Sequence, residues 1–232
     1  MEAALVFGLA LFLSLAQFAG FWSEMAFHKR RFILISLSAG MFTVVLFMDM
    51  LRQMHAYYGI FGSIVLAFLL FGFALFHALQ KSVYQRTQPG SRKRALGLAE
   101  LDMTAALLED FGLGFLFALL VLHLGSGLPV YLLFLPFLLR AFAASVFLSK
   151  AAEHFSFGWL QKAALCLPIF LGAVLAYFLQ LEEMALALTF SFLIGALFYI
   201  ITREMIPRGR QGELNYYFLG LALGLIAFYL SA

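Results

Sequence analysis

Residues 99–148 decide the fold: AELDMTAALLEDFGLGFLFALLVLHL (99–124), the turn Gly125-Ser126-Gly127, and LPVYLLFLPFLLRAFAASVFL (128–148). Two apolar helices joined by a short turn account for the stretch, and each reaches the length of about 20 residues that crosses a bilayer. Three ionisable groups interrupt the hairpin. Glu109 and Asp110 lie 17 and 16 residues before Ser126, and Arg140 lies 14 after it. At a rise of about 1.5 Å per residue they stand within roughly 5 Å of one depth, near mid-bilayer. Charges there are costly, face a protein interior and find one another. Glu109, Asp110 and Arg140 are therefore the candidates for a transport site or an ion pair.

The rest of the chain has the same character. Of its 232 residues 64% are hydrophobic and only 12% charged, with a mean hydropathy of +0.99, which excludes an ordinary soluble protein. Apolar segments of spanning length recur eight times, at 4–21, 32–51, 59–79, 99–124, 128–148, 160–180, 184–203 and 214–231. The expectation is an all-α integral membrane protein, with 1–232 as one transmembrane domain. Met1-Glu2 gives no basic flank and no small-residue cleavage site follows, so the first span reads as a retained helix. Cys166, the single cysteine, precludes an intramolecular disulfide.

Basic residues sort to one side. Lys29, Arg30 and Arg31, then Lys81, Arg86, Arg92, Lys93 and Arg94, then Lys150, then Arg208 and Arg210 follow spans one, three, five and seven, with Lys162 and Arg203 at span ends on that side. Only Arg52 lies opposite. The positive-inside rule makes the first group cytoplasmic, places both termini outside, and supports an even span count in a plasma (inner) membrane. A basic loop that sets topology also explains Ser91-Arg92-Lys93-Arg94 better than nucleic-acid binding does.

Spans two and seven repeat one arrangement. Gly40 precedes Asp49-Met50-Leu51 by nine residues, and Gly195 precedes Glu204-Met205-Ile206 by nine. The two spans cross in opposite directions, as in the inverted repeats of many transporters. Asp49 near the outer face and Glu204 near the inner one are gate candidates; chance similarity of two apolar helices is the competing account.

On these residues the chain resembles the ZIP (Zrt/Irt-like) metal transporters. Gly195 through Arg203-Glu204-Met205-Ile206-Pro207, the Gly220 to Ala227 run, and Ala39-Gly40 with Asp49-Met50-Leu51 carry the resemblance. It implies eight spans, with one, four, five and six holding a divalent-metal site and two, three, seven and eight forming a scaffold that is commonly dimeric. The implied ligand motifs are departed from. Where span four of the family carries His, Asn, Pro, an acid and Gly, this chain has Ala105, Ala106, Leu108, Glu109 and Asp110. Span five, overlaid on Pro136 or on Arg140, supplies no ligand.

Zinc-like ions take imidazole, thiolate or carboxylate donors, four in a closed site and three in an open one. Glu109 and Asp110 point about 100° apart on a helix, and Arg140 adds a permanent positive charge. The guanidinium is expected to stand in place of a metal, pairing with either carboxylate; the other reading has Arg140 snorkelling or pairing with a neighbouring subunit, and Glu109 protonated in an apolar site.

Enzymatic chemistry finds no footing. Histidines 28, 55, 77, 123 and 154 lack the spacing of haem pairs or HExxH, and Glu182-Glu183 reads as a solvated outer turn. The 29 phenylalanines are packing and lipid-facing residues. Two functions follow. One is a pseudo-transporter, scaffold or accessory to another membrane protein or to a second copy. The other is a transporter of a divalent cation, or of a proton-coupled or anionic substrate, through a non-standard site.

Overall fold

A computed structural model describes residues 2–23, 31–86, 92–124, 128–152, 158–179, 181–202 and 213–231, and these residues form helices and no strand. In chain order they are α1 (Glu2–Trp22), α2 (Arg31–Val44), a π-helical segment (Val45–Met50), α3 (Leu51–Phe61), α4 (Ile64–Arg86), α5 (Arg92–Leu124), α6 (Leu128–Ala152), α7 (Trp159–Phe178), α8 (Glu183–Ile200) and α9 (Leu214–Ser231). Among the described residues, five helical stretches are long and apolar enough to cross a membrane: Ala3–Trp22, Phe32–Phe61, Met103–Leu122, Trp159–Phe178 and Glu183–Ile200. Three shorter apolar stretches, Ile64–Leu79, Val130–Val146 and Leu214–Leu230, lie on α4, α6 and α9.

Two boundaries differ from the sequence expectation. The second helical rod does not stop at Leu51 but continues through the π segment and α3 to Phe61, so residues 59–61 belong to it and not to the third span. Arg52 does not break the rod, because its side chain is 70% exposed and keeps its hydration. The rod ends where Gly62 adopts φ +71, a conformation that side chains with a Cβ resist. The polar stretch 82–94 is also partly helical: α4 reaches Arg86 and α5 begins at Arg92. The turn at 125–127, His28, His154 and Glu204 lie outside the described residues.

Several hydroxyls inside these apolar helices donate to their own backbone, while buried Ser14 Oγ has no partner. Thr43 donates to Ala39 O (2.7 Å), Ser145 to Phe142 O (2.7 Å) and Ser191 to Ala187 O (2.7 Å). Large apolar side chains line the outside, among them Leu70 and Phe71 on α4, Leu167 and Leu171 on α7, and Phe218 and Ile226 on α9. The buried interior, by contrast, contains Gln17, Asp49, Glu109, Asp110 and Arg140. This distribution suits an apolar surrounding and a functional core.

The closest packing joins α5 to α7, α2 to α9 and α4 to α8, followed by α1 against α6 and α7. Each leading pair meets through reciprocal glycines. A Cβ on Gly40 would overlap Tyr217 O, and one on Gly220 would overlap Leu37 O. Gly72 stands likewise against Phe192 O and Gly195 against Leu69 O; Gly114 stands against Ile169 O and Gly172 against Phe111 O. In all six cases the covered carbonyl lies three residues before the partner glycine. The α1 and α6 crossing keeps the rule on one side, where Gly20 lies against Phe142 O and Ser145 takes the second glycine's place. Small residues let backbones approach this closely, the main source of helix association where water offers no hydrophobic drive. Gly220 faces Leu37 while Gly224 faces Met41 and Val44, so α2 and α9 run in the same direction.

Candidate functional site around Glu109 and Arg140

Helix α5 carries Glu109 and Asp110 and α6 carries Arg140; they are 4%, 2% and 5% exposed. Consecutive helical positions diverge by about 100°, and this sends the two carboxyl groups to different neighbours. Glu109 Oε1 forms an ion pair with Arg140 Nη2. Asp110 Oδ2 accepts a hydrogen bond from Gln17 Nε2 of α1 (2.6 Å). The pairing of Arg140 is single-pronged: Arg140 Nε and Glu109 Oε1 lack a properly aligned hydrogen bond. A forked arrangement would have satisfied more donors.

Register relates the two members of the pair. Glu109 lies five residues before Gly114, and Arg140 five before Ser145, the small residues at which α5 meets α7 and α6 meets α1. The second polar contact has no such counterpart. Gln17 is three residues before Gly20, and the position three before Gly172 is Ile169; one residue after Arg140 is Ala141. Ile169 and Ala141 are fully buried and apolar where Gln17 and Asp110 are polar.

Gln17 is not among the residues that the sequence singles out. An amide in an otherwise apolar helix, with Ser14 one turn earlier, was the available signal; its partner depends on packing.

Asp49, a gate candidate, sits in the π segment and is 8% exposed. Its Oδ1 lies 3.6 Å from Arg52 Nη2, while Oδ2 has no hydrogen-bond partner. Asp49 borders a small open cleft between the π segment, Leu116 and Leu120 of α5, Phe137 of α6 and Phe190 of α8. Phe137 is three residues before Arg140, which puts the cleft less than one helical turn along α6 from the ion pair. The structure does not bring Asp49 together with Glu109. At the matching place on α8, six residues past Gly195, Ile201 and Thr202 are also π-helical.

Among the described residues, no three His, Cys, Asp or Glu side chains gather as a metal ion would require. Glu109 is engaged by a fixed cation and Asp110 by an amide, so this donor set does not fit a zinc-like ion as it stands. His77 packs edge-on to Tyr199 and His55 stacks on Tyr58. Glu182 and Glu183 are exposed.

No protein-family model matches the chain, and no curated protein matches its sequence.

Proposed function

We propose that the chain is an eight-span protein of ZIP-like architecture in which an arginine has taken the place of the transported metal. In this reading it serves as a scaffold or accessory subunit for another membrane protein in the plasma (inner) membrane, with both termini outside. The observation that carries the reading is the buried pair of Arg140 with Glu109. A guanidinium stays charged at any physiological pH, so a divalent ion could reach Glu109 only by displacing a cation that has nowhere hydrated to go.

The architecture is supported by the packing. Exchanging spans one with six, two with seven, three with eight and four with five turns the contact of α5 with α7 into that of α6 with α1. It also turns α2 with α9 into α8 with α4. The glycine rule holds in full for α2 with α9 and α8 with α4 and on one side for α6 with α1, and the correspondence of spans two and seven is the one their sequences suggest. An inverted repeat accounts for all of this together. Glu109 and Arg140 become equivalent positions of the two central spans, meeting where the halves face each other.

A second reading, transport of a divalent cation, is favoured by the cleft at Asp49, whose carboxylate has one unpartnered oxygen. Elemental analysis and a zinc or cadmium titration of the purified protein separate the two, with proteoliposome uptake alongside. The scaffold reading expects no stoichiometric metal and no uptake in wild type, and weak binding when Arg140→Ala frees Glu109. Stoichiometric metal in wild type that is lost in Glu109→Ala would establish transport instead.

A further inference from the structure

The ion pair leaves one carboxyl group over. Around Asp110 the packed elements bring Glu109 on its own helix, Arg140 from α6, the uncharged Gln17 from α1 and Cys166 from α7. Other charged or ionisable side chains described on the surrounding helices are turned elsewhere. Lys162 of α7 lies over the Phe21 ring, His77 of α4 packs on Tyr199 of α8, and Lys81, Glu100 and Glu183 are exposed. One guanidinium thus faces two carboxyl groups. If both were ionised, a net negative charge would be stranded in a site only 2% exposed, where an uncompensated charge is strongly disfavoured.

A second observation points to what resolves this. Gln17 is fully buried, and while its Nε2 donates to Asp110 Oδ2 at 2.6 Å, its Oε1 has no donor at all. Buried polar atoms are nearly always satisfied, so an orphan acceptor beside a surplus carboxylate needs a donor.

We propose that Asp110 and Gln17 form a proton-binding site. A proton taken up by the Asp110 carboxylate makes a neutral acid, whose hydroxyl donates to Gln17 Oε1 while Gln17 Nε2 donates to the other carboxyl oxygen. The acid and amide then form a cyclic pair in which each is both donor and acceptor. The centre becomes neutral, with Glu109 and Arg140 cancelling and Asp110 uncharged. Losing the proton sets the Gln17 carbonyl and an anionic carboxylate side by side at the contact of α1 with α5. Proton release therefore loosens α1 from the bundle. The site exists on one side only, since the equivalent positions are Ile169 and Ala141, and it stands whether or not the protein moves a metal.

Infrared spectroscopy of the full-length protein in micelles at neutral pH tests this. The expected result is a carbonyl band of a protonated acid that shifts in D2O and moves when the chain's three aspartates are labelled with 13C. It should be absent from Asp110→Asn and disappear as the pH is raised. Asp110→Asn, a neutral mimic of the acid, should keep the thermal stability of wild type. Only carboxylate bands from the labelled aspartates, which requires no variant, would overturn the proposal. So would a melting temperature raised by sodium over choline at equal ionic strength in wild type but not in Asp110→Asn, because a metal cation would then fill the site. Failure of Asp110→Asn to fold would count against a neutral Asp110 as well.

Discussion

Glu109 and Arg140 stand at the same register of two different helices, each five residues before the small residue at which its helix meets a neighbour, and they are paired with each other. Both side chains are buried, and each is the other's ion-pair partner. Removing Arg140 strands a carboxylate already short of hydrogen bonds, and removing Glu109 strands the guanidinium. Arg140→Ala should cost about 3–5 kcal/mol of unfolding free energy, whereas Glu109→Leu with Arg140→Met, which removes both charges and keeps volume, should cost less than either single change. Unfolding of the purified protein in mixed micelles reads this cycle. Additive losses would mean that the two side chains do not depend on each other.

The glycine crossings make a sharper claim about packing. At Gly114 and Gly172 an added Cβ would overlap backbone atoms, which cannot swing aside as a flexible side chain can. Gly114→Ala or Gly172→Ala should destabilise by about 1–3 kcal/mol or more. Gly8, which has nothing within 4 Å of a built Cβ, is the control. Gly8→Ala should be neutral or gain roughly 0.5–1 kcal/mol from reduced chain entropy. Equal losses at Gly8 and Gly114 would contradict the close approach of α5 to α7.

Apolar length alone located the helical rods among the described residues, because a long apolar run such as 184–203 favours one continuous helix. What length could not place were ends set by backbone conformation. Arg52 interrupts the apolar run without interrupting the helix, and the true stop is the positive φ of Gly62. The π segment at Val45–Met50 left no mark in composition. At the site, the hairpin geometry put Glu109, Asp110 and Arg140 at one depth. Which carboxylate meets the arginine depends on the rotation of α5 about its axis, set by Gly114 against Ile169, and no periodicity in 99–124 reports it. Gln17 escaped notice for the same reason: a lone amide names a depth but no partner.

Asp49 offers a contrast in burial. Its partner Arg52 is largely in the open at 3.6 Å, so the pair is of the weak, exposed kind, while Asp49 itself is mostly buried with one oxygen unpartnered. Asp49→Asn removes a charge that is poorly compensated and should leave stability unchanged or raise it by up to about 1 kcal/mol. The same unfolding assay applies. A loss as large as that of Arg140→Ala would show that Asp49 anchors the π segment electrostatically.

The proposed sidedness rests on the basic residues and can be read chemically. Cys166 is the only cysteine, so Cys166→Ala gives a background for single reporters. On that background Ser63→Cys, in the turn after α3, should react with a membrane-impermeant maleimide on intact cells, and Ser91→Cys should react only after permeabilisation. The opposite pattern would invert the topology and place both termini inside.

If Glu109 and Arg140 are equivalent positions of an inverted repeat, their roles should be exchangeable. Glu109→Arg alone sets two guanidinium groups against each other in a low-dielectric interior, and Arg140→Glu alone sets two carboxylates together; either should abolish or severely reduce folded protein. Combining them restores opposite charges at the same contact. The exchanged pair is not a perfect image, because its arginine now adjoins Asp110 on α5 while its glutamate adjoins Ala141 on α6. That asymmetry favours ionised Asp110 and disturbs the contact with Gln17, so recovery should be substantial but incomplete. The monodisperse yield in size-exclusion chromatography measures it, with the double variant expected above both single reversals. A double variant no better than the singles would mean that surroundings other than the repeat fix the direction of the pair, and the equivalence of the two central spans would fall with it.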